Sequence, residues 1–208
     1  RVIWTRLVRR GASFFSRDEV FLSSTSRDFH PTDILEDADG SLLVIDTGGW
    51  FRISCPQSEV AKPNIPGAIY RIHRVDGAPP SDARGNQLNW DRMPAIELSG
   101  LLDDPRVVVR DRARNALVTL GDDGLASLDV ALESTSVTRR NAVWALSRIA
   151  TSGARERIIR SLADEDVTVR QAAVRSVGVL KEARAVKLLV ERLQRDEIPV
   201  RRAAATAL

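Results

Sequence analysis

The chain has 208 residues, of which 43% are hydrophobic and 28% are charged. This is the composition of a globular protein with one or two domains, and it excludes a disordered chain. No apolar run reaches the roughly eighteen residues of a membrane span, and the start of the sequence has no signal-peptide pattern. The formal net charge is only +3, so a basic surface could come only from local clustering of arginines. The single cysteine, Cys55, excludes an internal disulfide, a Cys-x-x-Cys site and a haem attachment motif.

The sequence is expected to be a fragment with a mixed β and α fold. It begins inside a strand-like stretch, Arg1 to Thr5, without a methionine, and it stops at Leu208 inside a repeat. The residue pattern changes from strand-like to helical along the chain. We therefore predict the C-terminal part of a β-propeller over 1–75, a linker over 76–93 and an α-solenoid over 94–208.

Short strands separated by turns are predicted in the first region. Asp33–Asp37 and Leu42–Asp46 flank an Asp39-Gly40 turn and are typical of a hairpin. Gly67–Ile72 is a further predicted strand, and Phe14-Phe15 and Val20–Leu22 are predicted as shorter ones. Such series of short antiparallel strands are typical of propeller blades, although this stretch is too short for a whole propeller.

The second region is rich in glycine and proline, as linkers are, and the third has helical periodicity. Gly121 follows an apolar helical stretch and is a natural stop. The predicted helices are Ala95–Leu102, Val108–Leu120, Leu125–Leu132, Arg139–Ile149, Arg155–Leu162, Val169–Leu180, Ala185–Leu193 and one beginning near Val200.

An arginine followed by small and aliphatic residues recurs in the helical region about every thirty residues, which is the signature of a helical solenoid. The arginines are Arg110, Arg139, Arg170 and Arg201. Small residues follow three and six positions later, and an aliphatic residue follows seven positions later. The predicted core columns are Ala113, Ala142, Ala173 and Ala204; Ala116, Ala145, Ser176 and Ala207; and Leu117, Leu146, Val177 and Leu208.

These columns resemble HEAT repeats in their short form, over residues 95–208 and for about three and a half repeats. The stretch from His30 to Trp50, with Lys62-Pro63 and Gly67–Ile72, resembles the last propeller blade of large envelope proteins of planctomycetes and their relatives. Those membrane-bound dehydrogenase-like proteins join a six-bladed, sugar-dehydrogenase-like propeller to HEAT repeats and often to a c-type haem module.

The resemblance implies a periplasmic or envelope parent that oxidises carbohydrates, with pyrroloquinoline quinone, calcium or c-type haem outside this chain. For the chain itself we predict interaction and scaffolding by the solenoid, with a protein or carbohydrate partner, no cofactor and no catalysis. A glycan- or protein-binding module without an enzymatic parent is the first alternative. Nucleic-acid binding is the second.

Three residues of the strand region are candidates for ligand binding in a propeller channel, namely His30, Asp33 and Trp50. His30 could instead cap a turn, Asp33 could bond backbone amides, and Trp50 could pack against a neighbour. No catalytic role can be assigned to any of them. Asp37-Ala38-Asp39-Gly40 resembles a calcium loop, but no further carboxylates follow, so a hairpin turn is favoured and no metal site is expected.

The arginine ladder, Arg110, Arg139, Arg170 and Arg201, has two interpretations. A regular basic stripe could follow a phosphate backbone, or each arginine could bond turn carboxylates such as Asp104, Asp166 and Asp196 and join successive repeats. The second is favoured because acidic residues alternate with the bases. Trp144 breaks its repeat column and is, with Arg140, a candidate partner contact, although it could instead fill a gap against Leu128 or Leu132.

Overall fold

The computed structural model describes residues 1–10, 13–49 and 64–208. It divides into two compact units, Arg1–Ser81 and Asp82–Leu208, called here the strand unit and the helical unit. The division falls inside the predicted linker 76–93. Residues 82–93 belong to the helical unit and pack on its helices: the indole Nε1 of Trp90 donates to the carbonyl of Gly85 at 2.7 Å, and the guanidinium of Arg112 in α2 lies 4.4 Å from the Trp90 ring centroid.

The strand unit contains two antiparallel sheets among its described residues. The first pairs β1 (Val2–Arg10) with β2 (Ser13–Leu22). The second has the order β3 (Pro31–Glu36), β4 (Leu42–Asp46) and β5 (Ala68–Ile72). The predicted hairpin around Asp39-Gly40 is confirmed as β3 and β4.

Phe14-Phe15 and Val20–Leu22, predicted as separate short strands, belong to the single strand β2. The prediction was wrong because Ser16 to Glu19 are polar, yet they continue the ladder with β1: Ser16 pairs with Leu7 and Arg17 with Arg6. Backbone hydrogen bonding, which needs no apolar side chain, carries the strand through this stretch. Both sheets are small and open, and the described residues do not show a propeller blade.

The Asp37–Gly40 segment is a hairpin turn whose carboxylates are occupied by groups of the chain. Gly40 has φ +78°, which favours glycine, and its N–H donates to the Asp37 carbonyl at 2.9 Å. Ser41 donates to Asp39 through its backbone N–H and its hydroxyl, and these bonds lower the pKa of Asp39. Arg71 on β5 pairs with Asp37 at 2.8 Å and with Asp39 at 3.3 Å. The segment therefore braces β4 against β5.

Residues 82–208, all of them described, contain eight α-helices with short 3-10 turns between several of them. The helices are α1 (Ala95–Gly100), α2 (Val107–Leu120), α3 (Leu125–Leu132), α4 (Ser136–Leu146), α5 (Ser152–Arg160), α6 (Val167–Val179), α7 (Val186–Arg195) and α8 (Ile198–Ala207). The 3-10 turns are Trp90–Arg92, Leu101–Asp103, Gly121–Gly124, Ser161–Ala163 and Ala183–Ala185.

The helices alternate between two stacks. We call α2, α4, α6 and α8 the ladder helices, because each carries one arginine of the ladder, and each contacts the next. The other stack, α1, α3, α5 and α7, contains the alternate helices, of which α1 contacts α3 and α3 contacts α5. Across the stacks, contacts join α1 with α2, α3 with α4, α4 with α5, α5 with α6 and α7 with α8, which is the arrangement of a helical solenoid.

Two helices begin three residues before the predicted start because a threonine caps them. Thr135 accepts the Thr138 N–H at 3.2 Å ahead of α4, and Thr151 accepts the Ala154 N–H at 3.3 Å ahead of α5. These side chains satisfy amides that the helix itself cannot pair. Gly121 ends α2 with φ +57°, as its position predicts.

The predicted core columns largely form the core of the helical unit. Ala113, Ala142, Ala173 and Ala204 are fully buried, as are Leu117 and Leu146. Leu208 is an exception: α8 ends at Ala207, and Leu208 is 55% exposed. Small residues let the ladder helices approach closely, since a Cβ added at Gly178 in α6 would lie 2.6 Å from the Cβ of Ala207 in α8.

Replacing Leu146 by alanine should destabilise the helical unit by about 2 to 5 kcal/mol, because the side chain is fully buried and its loss leaves a cavity. Val179→Ala is the matched control, since Val179 is 82% exposed and its truncation should cost less than about 0.5 kcal/mol. Urea unfolding followed by circular dichroism measures both. Equal stability of the two variants would contradict this packing.

Candidate functional site

Arg139 joins two successive repeats. Its Nε and Nη2 donate to the two carboxylate oxygens of Asp164 at 2.9 and 3.0 Å, and its Nη1 donates to the Ser134 carbonyl at 2.9 Å. Asp164 lies in the turn before α6, and Ser134 lies in the turn before α4. The arginine thus fixes the turn of its own repeat to the turn of the next. The hydrogen bonds from Arg139 to Asp164 raise the pKa of the guanidinium.

Arg170 makes the same connection one repeat later. Its Nε and Nη2 donate to Asp196 at 2.9 and 2.8 Å, and its Nη1 donates to the carbonyls of Asp164 and Glu165 at 2.9 and 2.8 Å. The Asp196 side chain is 2% exposed and that of Arg170 is 12% exposed. Burial opposes ionisation of Asp196, but the bonds from Arg170 and the Glu197 N–H outweigh it and lower its pKa.

The two outer arginines of the ladder bond carbonyl groups. Arg110 donates to the Asp104 carbonyl, while the Asp104 carboxylate is occupied by Arg106 at 2.9 and 2.8 Å. The corresponding next turn contains Ser134 and Thr135 in place of an aspartate. Arg201 donates from Nε to the Leu193 carbonyl at 3.0 Å.

Asp166, which the sequence suggested as a ladder partner, has another task. Its carboxylate caps α6 by accepting the Thr168 N–H at 2.8 Å, and it also accepts the Thr168 hydroxyl. Those bonds lower the pKa of Asp166. The bidentate partner of Arg139 is instead Asp164, two residues earlier, because that side chain reaches the guanidinium of the preceding repeat.

A second set of ion pairs joins the alternate helices, and sequence reasoning missed it. Asp129 in α3 accepts from Arg157 in α5 at 2.8 Å and from Arg160 at 3.5 Å. The bonds from Arg157 lower the pKa of Asp129. Near α7, Arg184 and Arg155 donate to Glu182 and lower its pKa to about 2. A search of the alternate helices for charged residues one repeat apart would have found the first pair.

Trp144 and Arg140, the predicted partner contacts, lie one helical turn apart on α4. Trp144 is partly buried and packs against the core of the helical unit. Arg140 extends to α6, where its Nη1 donates to the Thr168 hydroxyl at 3.3 Å. Arg148, just past the end of α4, extends the opposite way and donates to the Asn115 side chain on α2 at 2.6 Å. Arg140 and Arg148 thus connect α4 to the ladder helices on either side of it.

Of the candidates in the strand unit, His30 and Asp33 lie among the described residues, and each bonds to neighbouring backbone or carboxylate groups. His30 donates its backbone N–H to Asp46 at 2.8 Å, and its ring Nδ1 lies 2.7 Å from the Gly48 carbonyl. Asp33 is exposed on β3 and accepts the N–H of Ile34 at 2.8 Å. Trp50 lies outside the described residues.

Asp46, which sequence reasoning did not single out, is a buried carboxylate of the strand unit. Besides the His30 amide it accepts the Gly48 N–H at 2.9 Å. Gly48 has φ +60°, and an added Cβ would lie 2.6 Å from the Pro66 carbonyl oxygen. This arrangement serves to hold a tight turn after β4. Within the described residues there is no cluster of three or more histidines, cysteines and carboxylates suited to a metal ion.

Asp196→Ala should destabilise the protein by about 3 kcal/mol, because it leaves the poorly exposed Arg170 without its carboxylate partner. Glu197→Ala is the matched control: Glu197 is 60% exposed and lies 3.8 Å from Arg170, so its loss should cost less than about 1 kcal/mol. Thermal and urea unfolding give both values. The connecting role of Asp196 would be contradicted if the two losses were equal.

One comparison with known protein families matches part of the helical unit. A family model described as HEAT repeats matches residues 128–208. No curated protein matches the chain in sequence. Among solved structures, human deoxyhypusine hydroxylase in complex with glycerol is similar over 62% of this chain, at 21% identity and a TM-score of 0.45. This chain spans 44% of that enzyme. The family match over residues 128–208 thus supports HEAT-like helical repeats. No helix in the described part of the chain is long and apolar enough to cross a membrane.

Proposed function

We propose that the chain is a scaffold or interaction module whose helical unit binds a partner protein. The observation that carries the proposal is the stack of HEAT-like helices, whose turns are joined by Arg139 and Arg170. Repeats of this kind generally present extended surfaces to other proteins. These ion pairs join parts of the chain to one another. The outward faces of the helices are therefore available to contact a partner protein.

Rigidity of the stack supports this proposal. The turn-to-turn bonds on the ladder helices and the Arg157–Asp129 pair on the alternate helices hold both stacks in register. A surface that is already ordered loses little conformational entropy on binding, which favours affinity.

An interaction module should retain a protein partner reproducibly. The test is affinity capture by the purified chain from an extract of the source organism, followed by reconstitution with the purified partner and crosslinking mass spectrometry. The expected crosslinks fall on 82–208. Three outcomes would contradict the proposal. The chain could retain glycans alone, every captured protein could fail to rebind when purified, or the crosslinks could fall only on the strand unit. The chain carrying Leu146→Ala is the control for binding to unfolded protein.

A second, finer proposal concerns the strand unit and rests on the resemblance to propeller dehydrogenases of the cell envelope. The observation that favours it is that β3, β4 and β5 of the described residues pair side by side as antiparallel strands of one small sheet. We propose on this basis that a longer natural protein oxidises carbohydrates with pyrroloquinoline quinone and calcium, or through a c-type haem, held outside this chain.

A dye-linked dehydrogenase assay on the full-length natural protein tests that second proposal. With pyrroloquinoline quinone, calcium and a panel of aldoses and polyols, we expect dye reduction that disappears when the quinone is omitted. A folded protein that turns over none of these substrates would contradict the propeller dehydrogenase and would leave the interaction module unaffected.

A further inference from the structure

The two stacks of the helical unit differ strongly in charge. The ladder helices contain nine arginines and a single acidic residue, Asp111. The alternate helices are closer to balance, with six basic and four acidic residues. Since the net charge of the whole chain is only +3, the excess on the ladder helices is a local feature of one stack. The nine arginines are Arg110, Arg112, Arg114, Arg139, Arg140, Arg170, Arg175, Arg201 and Arg202.

Part of this charge is engaged in the framework. The four ladder arginines bond backbone carbonyls, which lie in turns for all but Arg201, and Arg139 and Arg170 also bond carboxylates. Arg112 lies over the Trp90 ring, and Arg114 pairs with Asp111 at 2.9 Å. These six arginines are accounted for by folding. Arg140, Arg175 and Arg202 are left, and Arg148 joins them from just beyond the end of α4.

The remaining arginines carry charge that no carboxylate neutralises. Arg140 and Arg148 donate to neutral groups, the Thr168 hydroxyl and the Asn115 side chain. Arg175 and Arg202 are exposed. In the part of the chain that the structure describes, none of the four takes part in an ion pair. A guanidinium held by neutral partners keeps donors and charge for an incoming anion.

The four arginines and Trp144 occupy matching repeat positions or positions four residues apart on the ladder helices, and we call this set the basic face: Arg140, Trp144, Arg148, Arg175 and Arg202. Arg140, Trp144 and Arg148 follow at intervals of four residues, so they form one stripe along α4. The stripe is bonded to α6 at one end and to α2 at the other. Arg175 on α6 occupies the repeat position of Trp144, and Arg202 on α8 occupies that of Arg140.

Resting on the interaction function proposed above, we propose that the basic face binds an acidic, extended segment of a partner protein. Neighbouring helix axes lie about 9 Å apart, which is about three residues of an extended chain. Carboxylates at that spacing can meet arginines on successive ladder helices. Val179, at the repeat position of Arg148, is 82% exposed and offers an apolar contact, so the segment should combine acidic with apolar residues.

Two features favour a peptide over a nucleic acid. Trp144 packs against the core, whereas surfaces for single-stranded nucleic acid present rings that are open for stacking on bases. The turns that border the ladder helices carry acidic groups, among them Asp166 at the start of α6 and Glu165, whose side chain is 85% exposed. These carboxylates would repel a phosphate backbone that crossed the turns, while a narrow peptide along the basic face avoids them.

The test measures binding of a fluorescein-labelled peptide of alternating glutamate and leucine to the 208-residue chain by fluorescence anisotropy. A peptide with glutamine in place of glutamate is the neutral probe. Arg140→Glu/Arg175→Glu reverses charge on the basic face. Lys187→Glu/Arg195→Glu on α7 is the matched control, because it makes the same change in net charge on the alternate helices. Arg175→Glu alone serves as a milder variant, since that side chain is exposed and has no framework role.

We expect the acidic peptide to bind the unaltered chain, the neutral peptide not to bind, and affinity to fall by about tenfold or more in the face variant but by less than about twofold in the control. No binding of the acidic peptide, or equal loss in both variants, would overturn the inference. Tighter binding of labelled DNA or RNA oligonucleotides, lost in the face variant, would overturn it in favour of a nucleic-acid surface. If a captured partner binds the face variant as tightly as the unaltered chain, the basic face is not its binding site. The proposed interaction function would then still stand.

Discussion

The bond from an arginine of one repeat to an aspartate in the next turn is the constraint on which the helical unit depends. Arg139 with Asp164 and Arg170 with Asp196 each connect two turns that lie far apart in sequence. Both ions are largely shielded, so each needs the other, and the fixed fork of the guanidinium also binds the carbonyls of its own turn. The helices that follow these turns therefore start from defined positions relative to one another.

Because the turns are fixed by polar bonds, the space between helices can be filled by small side chains. The alanine column buried between the ladder helices and the close contact of Gly178 with Ala207 need backbones that approach closely without slipping. Apolar packing of this kind is not directional, whereas the arginine bonds are. The arginine bonds therefore fix how the helices are aligned, and the small apolar side chains fix how closely they pack.

Different arginines of the ladder helices stabilise the fold and remain available for binding. The four ladder arginines bond groups of the fold, as do Arg112 and Arg114 on α2, whereas Arg140, Arg148, Arg175 and Arg202 meet neutral partners or solvent. In the strand unit the polar groups are used differently: Asp46 and His30 hold a turn, and the carboxylates of Asp37 and Asp39 are taken by Arg71. The charged groups that remain available to bind a partner therefore lie mainly on the helices.

The sequence by itself determined the repeat, the existence of the helices, the buried columns around Ala142 and Leu146, and the hairpin at Asp39-Gly40. These features follow from local periodicity and turn chemistry, which are written in neighbouring residues. Only the tertiary structure decided that Asp164 is the bidentate partner of Arg139 while Asp166 caps a helix, that Trp144 packs against the core, and that polar residues continue β2. The physical reason is that an ion pair or a strand pair depends on the distance in space between segments well apart in the chain, and no local pattern encodes that distance.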